Sequence, residues 1–355
     1  MDRDKVYEAL ASHLDRLPAG FPGTETGVEI RILKRLFTPE EAELAQLVTL
    51  KPETAEEIAS RTGREAEELA SKLQMISRKG LVFRLGQGDK TRYMAVNFII
   101  GIWEFNLNRL DPELIKDVGE YVPAYLGQSH NLNTPQLRTI PISKSLPSEQ
   151  AIMPYEETRR IIQEQERIIV APCICRREHK IMGKGCDKLM EACLVFGRGA
   201  QYYEENGLGR PISQAQALNI LDEAENQGLV LQPSNTQKVV NICMCCGCCC
   251  QILKNLKRLP GPALYAASNY FAVHDRELCT GCGACIERCQ MDAIEMSGDG
   301  VEIKSTHCIG CGLCVPTCPE GAVSLKPKPE RERSIPPSDR MEIFNRLAEN
   351  RKQST

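Results

Sequence analysis

Hydrophobic positions in the first hundred residues follow helical spacing and then change to alternation. Thr54 and Glu57 stand three apart, a capping box that predicts a helix over 55–61, and Gly63 breaks it. Leu69, Leu73 and Ile76 recur on one stripe of a second predicted helix, which Gly80 ends. Residues 81–85 and 92–96 then alternate around Gly86-Gln87-Gly88-Asp89-Lys90, a hairpin with a polar turn. Two helices and a hairpin within 27–105 predict a winged helix-turn-helix, preceded by a short helix that stops at Leu17-Pro18-Ala19-Gly20.

Downstream the pattern loosens. Pro123, Pro135, Pro141, Pro147 and Pro154 punctuate a connecting region, in which we read a helix over 112–121 and a short strand over 138–143. From Glu157 a helix leads into Ile168-Ile169-Val170-Ala171, an apolar run of buried-strand type that delivers Pro172-Cys173-Ile174-Cys175. Ser213 with Gln216 caps a further helix that Gly228 ends, and strands are expected over 229–231 and 239–242. The second runs directly into Cys243-Met244-Cys245-Cys246-Gly247-Cys248-Cys249-Cys250. Leu259-Pro260-Gly261-Pro262 reads as a linker, and a charged tail ends in a helix carrying Met341, Phe344 and Leu347. The expected class is α+β. It comprises a winged-helix-like domain (1–105), a connecting region (106–160), a cysteine-rich α/β domain (161–255), a third domain (271–327) and a tail (328–355).

Composition narrows the function. A net charge of -3 over 355 residues supplies no bulk field for nucleic acid or anionic lipid. The longest apolar run, 94–103, is too short to span a bilayer. The charged stretch 1–16 does not read as an export signal, so a cytoplasmic location is expected. Eighteen cysteines far exceed the needs of an ordinary cytosolic chain. They cluster at ligand spacings, so thiolates kept reduced for metal, in a cytoplasm low in oxygen, explain them better than disulfides.

Eight of these form two runs: Cys279-x2-Cys282-x2-Cys285-x3-Cys289, and Cys308-x2-Cys311-x2-Cys314-x3-Cys318-Pro319. The flanks repeat too, with Gly281 and Gly283 against Gly310 and Gly312, and Ala293-Ile294 against Ala322-Val323. This duplicated unit resembles the bacterial two-cluster ferredoxins, with the expected ferredoxin-like fold and two [4Fe–4S] clusters. The resemblance implies that Cys279, Cys282, Cys285 and Cys318 hold one cluster, and that Cys308, Cys311, Cys314 and Cys289 hold the other. Gln290 departs from the family, where proline follows the fourth cysteine. The whole chain also resembles ferredoxin-domain proteins of anaerobic bacteria that carry a similar N-terminal region.

Ten thiols remain. Cys173 and Cys175 share one face if they lie on a strand, and Cys186 and Cys193 share one stripe if they lie on a helix. These four are the expected quartet, with Cys243, Cys246 and Cys249 as the best subset of the second block. Ten thiols suffice for two further cubanes with two left over, or for one unusual cluster with bystanders. Zinc and thiol redox chemistry are the alternatives. Arg176, Arg177, Lys180, Lys184 and Lys188 lie around the first quartet, and His179 is a weaker ligand candidate.

The predicted recognition helix opens Arg64-Glu65-Ala66-Glu67-Glu68, placing three carboxylates where phosphates would stand. Operator binding is therefore not expected; Arg78, Lys79, Arg84, Lys90 and Arg92 lie at the helix end and wing instead. No Walker loop, nucleotide fingerprint or Ser-His-Asp order appears. The expected function is an iron–sulfur electron carrier, a subunit or adaptor serving a redox enzyme, rather than a catalyst. The rivals are a reductase acting at an atypical cysteine-ligated centre and a redox-sensing winged-helix regulator.

Overall fold

A computed structural model describes residues 3–131, 134–146 and 153–354. The chain divides into two compact units, one of Met1–Leu132, Gln201–Gly209 and Phe344–Thr355, the other of Asn133–Ala200 and Arg210–Ile343.

The first unit opens with α1 (Arg3–Asp15), α2 (Val28–Leu36) and α3 (Pro39–Ala45). It continues through α4 (Ala55–Thr62), α5 (Ala66–Arg78), β1 (Phe83–Leu85), β2 (Arg92–Met94), α6 (Trp103–Phe105) and α7 (Pro112–Asn131). The Thr54–Glu57 capping box is formed, Thr54 Oγ1 accepting from Glu57 N–H at 3.2 Å while Glu57 accepts from Thr54 N–H at 2.7 Å. The same device at Thr38 and Glu41 opens α3. Strands β1 and β2 pair antiparallel, Phe83 against Met94, and Glu53 adds an isolated bridge to Tyr93. Helix α7 runs on past Pro123, where the sequence suggested a stop. Val118, Tyr121, Val122, Tyr125 and Leu126 continue one buried stripe across the proline, and their packing outweighs its local cost. Trp103 is core, its ring packed near Phe98, which also contacts Phe21, Tyr121 and Tyr125.

Several basic residues of this unit are engaged internally. Lys72 bridges Glu40 at 2.6 Å and Glu68 at 2.5 Å, Arg92 pairs with Glu57 at 2.8 Å, and Lys79 pairs with Glu41. Arg78 donates to the Glu205 carbonyl at 3.1 Å. Arg84, with its side chain 3% exposed, pairs with Glu205 at 2.6 Å and donates to Ser77 and Asn206.

In chain order the second part begins with α8 (Thr158–Gln163), β3 (Ile168–Pro172), α9 (Ile174–Ile181), β4 (Glu191–Phe196), α10 (Gly197–Glu205), β5 (Arg210–Ile212) and α11 (Gln214–Asn226). Then come β6 (Val230–Pro233), β7 (Asn241–Cys245), α12 (Gln251–Lys257) and α13 (Pro262–Tyr265). The chain closes with β8 (Tyr270–His274), α14 (Ala284–Arg288), β9 (Ile294–Ser297), β10 (Gly300–Ile303), β11 (Val323–Pro327) and α15 (Arg340–Ser354). Five strands make an antiparallel sheet in the order β5-β3-β4-β7-β6. Residues 138–143 are not a regular strand: Arg138 and Ile140 form single bridges to Ala267 and Leu231. Proline at 141 removes a donor and stops the ladder. Around 271–327, β8 pairs with β11 and β9 with β10, two antiparallel pairs that follow the sequence repeat.

Two local expectations for the thiols are corrected. Cys173 and Cys175 do not lie on a strand, because β3 ends at Pro172 after a register shift and Cys173 becomes the N-cap of α9. Cys186 and Cys193 share no helix. Helix α9 stops at Ile181, with Gly183 in the left-handed region at φ 67°, and Cys193 lies on β4. The run Cys193-Leu194-Val195-Phe196 fills the sheet between β3 and β7, an environment that favours β-branched and aromatic residues.

Candidate functional site

The two ferredoxin-type runs bring their thiols together in two groups. Burial raises the Cys285 thiol, and Cys318, Cys282 and Cys279 crowd it further. Burial likewise raises Cys314, followed by Cys311, Cys308 and Cys289. Cys318 thus acts on the first run and Cys289 on the second. Cys285 and Cys314, each raised by burial and by three neighbouring thiols, stand where a cationic centre would relieve that crowding. Backbone N–H groups already point at the sulfurs. Ala293 donates to Cys289 Sγ at 3.3 Å and Ala322 to Cys318 Sγ at 3.2 Å, each from four residues downstream. Ala272 adds a bond to Cys308 Sγ at 3.4 Å. The repeat thus encodes the same sulfur–amide contact twice. Its glycines are required: at Gly281 and Gly310, with φ of 66° and 67°, a Cβ would stand 2.4 Å from Asp299 O and 2.1 Å from Tyr270 O.

The other ten cysteines separate into two groups, neither of which is the expected quartet. Strand register sets one. Cys193 on β4 faces Cys243 on β7, and Cys245 lies two residues along the same face. Cys173 and Cys175 at the start of α9, and Cys250 at the N-cap of α12, complete a row of six. Within it Cys243 contacts Cys193 and Cys245, and Cys250 contacts Cys175 and Cys245. Hydrogen bonds from Cys193 and Cys245 hold the Cys243 thiol well below its ordinary value. Those from Cys175 and Cys245, joined by the Leu253 and Ile252 amides, do the same for Cys250. Their donors are raised in turn, Cys175 first by its bond with Cys173 and then by that with Cys250, and Cys245 by its bonds with Cys243 and Cys250. Within the row Cys243 and Cys250 are held low and their neighbours Cys175 and Cys245 high, a set of close sulfur donors suited to metal.

The tight turn between β7 and α12 sets the other group. Cys250 N–H donates to Cys246 O at 3.1 Å, and the turn presents Cys246, Cys248 and Cys249. Cys186 arrives from the loop after α9, and the four Sγ atoms lie within 4.8 Å of one another. Burial raises Cys246, but the Arg176 guanidinium, the Cys249 amide and Cys248 together outweigh it and leave this thiol below its ordinary value. Burial, followed by contact with Cys246, pushes Cys248 up to about 11.

Sequence reasoning grouped Cys186 with Cys173, Cys175 and Cys193, and Cys243 with Cys246 and Cys249. The structure places Cys186 with Cys246 and Cys249, and Cys243 with the row. Cys245, Cys248 and Cys250 lie outside the subset that spacing favours, although period-two alternation along 241–245 already puts Cys243 and Cys245 on one face. Of the nearby basic residues, Arg176 is 1% exposed and bonded to the Leu189 and Met244 carbonyls, each at 2.7 Å. Lys188 reaches Gln227 O, while Lys180 and Lys184 are exposed. His179 lies outside both thiol groups: Nδ1 faces Cys175 O at 2.7 Å and Nε2 faces Lys254 at 3.3 Å.

The departure at Gln290 has a structural role. Its Oε1 accepts from Gly247 N–H at 2.7 Å, joining the residue after Cys289 to the turn between Cys246 and Cys248. The approach is so close that a Cβ on Gly247 would stand 2.2 Å from Gln290 O. Cys246, Cys249 and Cys250 share one apolar core with Met291, Ala293, Ile309 and Leu313, against which Cys289, Cys308 and Cys311 pack.

No curated protein and no solved structure matches the chain. The sequence family described as a 4Fe-4S dicluster domain matches residues 271–325. The two cysteine groups and this match together identify the C-terminal segment as a dicluster ferredoxin domain.

Proposed function

We propose that the chain relays single electrons between its dicluster domain and a second cysteine-bound centre built on the antiparallel sheet. In this reading Cys279, Cys282, Cys285 and Cys318 hold one [4Fe–4S] cluster and Cys308, Cys311, Cys314 and Cys289 the other. The row Cys173, Cys175, Cys193, Cys243, Cys245 and Cys250 holds a further iron–sulfur centre. Such clusters supply one-electron reduction and oxidation without proton chemistry. The chain's own residues set the conditions: Ala272, Ala293 and Ala322 amides stabilise charge on sulfur, and burial favours the less charged state. Although 161–255 and 271–327 pack within one unit, we keep them as separate functional parts, each with its own donor set.

The Gly247–Gln290 contact carries this reading, because it sets the cysteine turn directly against the segment that follows Cys289. A potentiometric titration of the anaerobically purified chain, followed by electron paramagnetic resonance, tests it. Signals beyond those of the dicluster domain are expected, and Cys175→Ser and Cys250→Ser should remove them selectively. Spectra unchanged by both variants would refute the second centre.

The N-terminal unit we assign to protein docking. We read α4, α5 and the β1–β2 hairpin as a winged helix in which Lys72, Lys79, Arg84 and Arg92 are paired with internal carboxylates rather than presented to phosphates. Among the described residues no helix is long and apolar enough to cross a membrane. A redox enzyme of an oxygen-poor cytoplasm is the partner this reading calls for.

A further inference from the structure

The two groups of extra thiols differ in spacing, and the difference points to different metals. Around one ion at about 2.3 Å, four thiolates stand about 3.8 Å apart, the edge of a tetrahedron. Cys186 Sγ lies 3.9 Å from Cys246 Sγ and 3.7 Å from Cys249 Sγ, and Cys248 Sγ lies 3.8 Å from Cys249 Sγ. A cubane instead gives each thiolate its own iron, so its four sulfurs must spread. The dicluster cysteines behave accordingly. Among the described residues only the Cys186, Cys246, Cys248 and Cys249 group brings its ligand atoms within 4.8 Å of one another.

We propose that Cys186, Cys246, Cys248 and Cys249 form a closed tetrathiolate site for one zinc or ferrous ion, separate from every iron–sulfur cluster. The ion would staple the loop after α9 to the turn before α12. Arg176 already bolts the same two segments. One guanidinium nitrogen donates to Leu189 O on the Cys186 side, and the other donates to Met244 O beside the turn. Leu189 N–H is fixed in turn by Gln227 Oε1 at 2.6 Å. Four thiolates and a divalent cation leave a net charge of −2, which the buried Arg176 partly offsets. Soft sulfur donors in a tetrahedron select zinc or iron over hard cations.

Metal and sulfide counts on the full-length protein, purified without oxygen, test the site. Every [4Fe–4S] cluster brings iron and acid-labile sulfide in equal numbers. A tetrathiolate ion brings metal and no sulfide. Iron plus zinc should therefore exceed sulfide by one per chain. X-ray absorption fine structure at the zinc or iron edge should place four sulfurs at about 2.3 Å around the excess metal. Cys248→Ser, at the exposed corner, should lower occupancy of the excess metal at least tenfold with sulfide unchanged. Metal equal to sulfide in the wild type would overturn the proposal, and the absorption measurement on the wild type decides it even where the variant folds poorly. The site goes beyond the relay and fails separately from it. A sulfide count no higher than the eight of the dicluster domain sinks the relay, whereas equality of metal and sulfide sinks this site.

Discussion

Gly247→Ala perturbs the junction between the cysteine turn and the dicluster domain at a single atom. The added Cβ would lie 2.2 Å from the Gln290 carbonyl oxygen, far inside contact distance, and the obstacle is backbone rather than a side chain able to swing away. Relief requires the turn and the Cys289–Gln290 segment to part, which also breaks the 2.7 Å bond from Gly247 N–H to Gln290 Oε1. Overpacking of this kind costs about 1–3 kcal/mol. The lost hydrogen bond adds about 1 kcal/mol. Together they predict a loss of about 3 kcal/mol, against about 1 kcal/mol for Gln290→Ala, which removes the bond alone. In a unit of this size 1 kcal/mol corresponds to about 2–4 °C in Tm, so Gly247→Ala should melt about 6–12 °C lower than wild type. Gly119→Ala is the control: it sits inside α7 with nothing within 4 Å of the added methyl, and should be neutral or slightly stabilising. Anaerobic thermal melts by circular dichroism, run at equal metal loading, read the series. A Gly247→Ala melt no lower than that of Gln290→Ala would refute the close junction.

Cys282→Ser and Cys311→Ser should each remove about four irons and four sulfides, one cluster's share, from anaerobically purified protein; full retention by either variant would contradict the ligand sets. Arg84→Ala removes the ion-pair partner of the largely buried Glu205 carboxylate and should destabilise the N-terminal unit by about 3 kcal/mol, read by chemical denaturation. Burial tends to raise the Glu205 carboxyl, but Gln87, Gln201 and Arg84 together hold it below its ordinary value. A depressed carboxyl stabilises above its unfolded pKa of about 4.3, and that stability is lost as pH falls through the folded value. Acid unfolding followed between pH 5 and about 2 should thus show a steeper loss in wild type than in Glu205→Gln. Gel-shift assays with mixed duplexes at low salt should give no specific complex in either oxidation state, whereas a salt-dependent shift that changes on oxidation would favour the regulator over the docking reading.

The dicluster domain was legible because its chemistry is local. Three thiolates at x2 spacing and a glycine beside each turn suffice to shape one pocket, and duplication supplies the second. The capping boxes and the β1–β2 hairpin were legible for the same reason. The ten other cysteines were not, because their grouping depends on strand register and chain reversal. Cys193 meets Cys243 only once β4 lies beside β7, and Cys186 reaches Cys249 only after the loop beyond α9 folds back. Gln290 shows the opposite case. It stood out in the sequence as a departure from the family, but its partner lies 43 positions away at Gly247, so its role needed the fold. Helix α7 outran its predicted end because a buried apolar stripe on both sides of Pro123 counts for more than one missing donor.

Whether sulfur donors outside the dicluster domain carry a further iron–sulfur centre is decided by the acid-labile sulfide count. Anaerobically purified full-length protein should contain about twelve sulfides per chain, eight from the dicluster domain and four from the row between Cys173 and Cys250. A count of eight or fewer, in protein whose dicluster domain is fully loaded, would contradict the further centre.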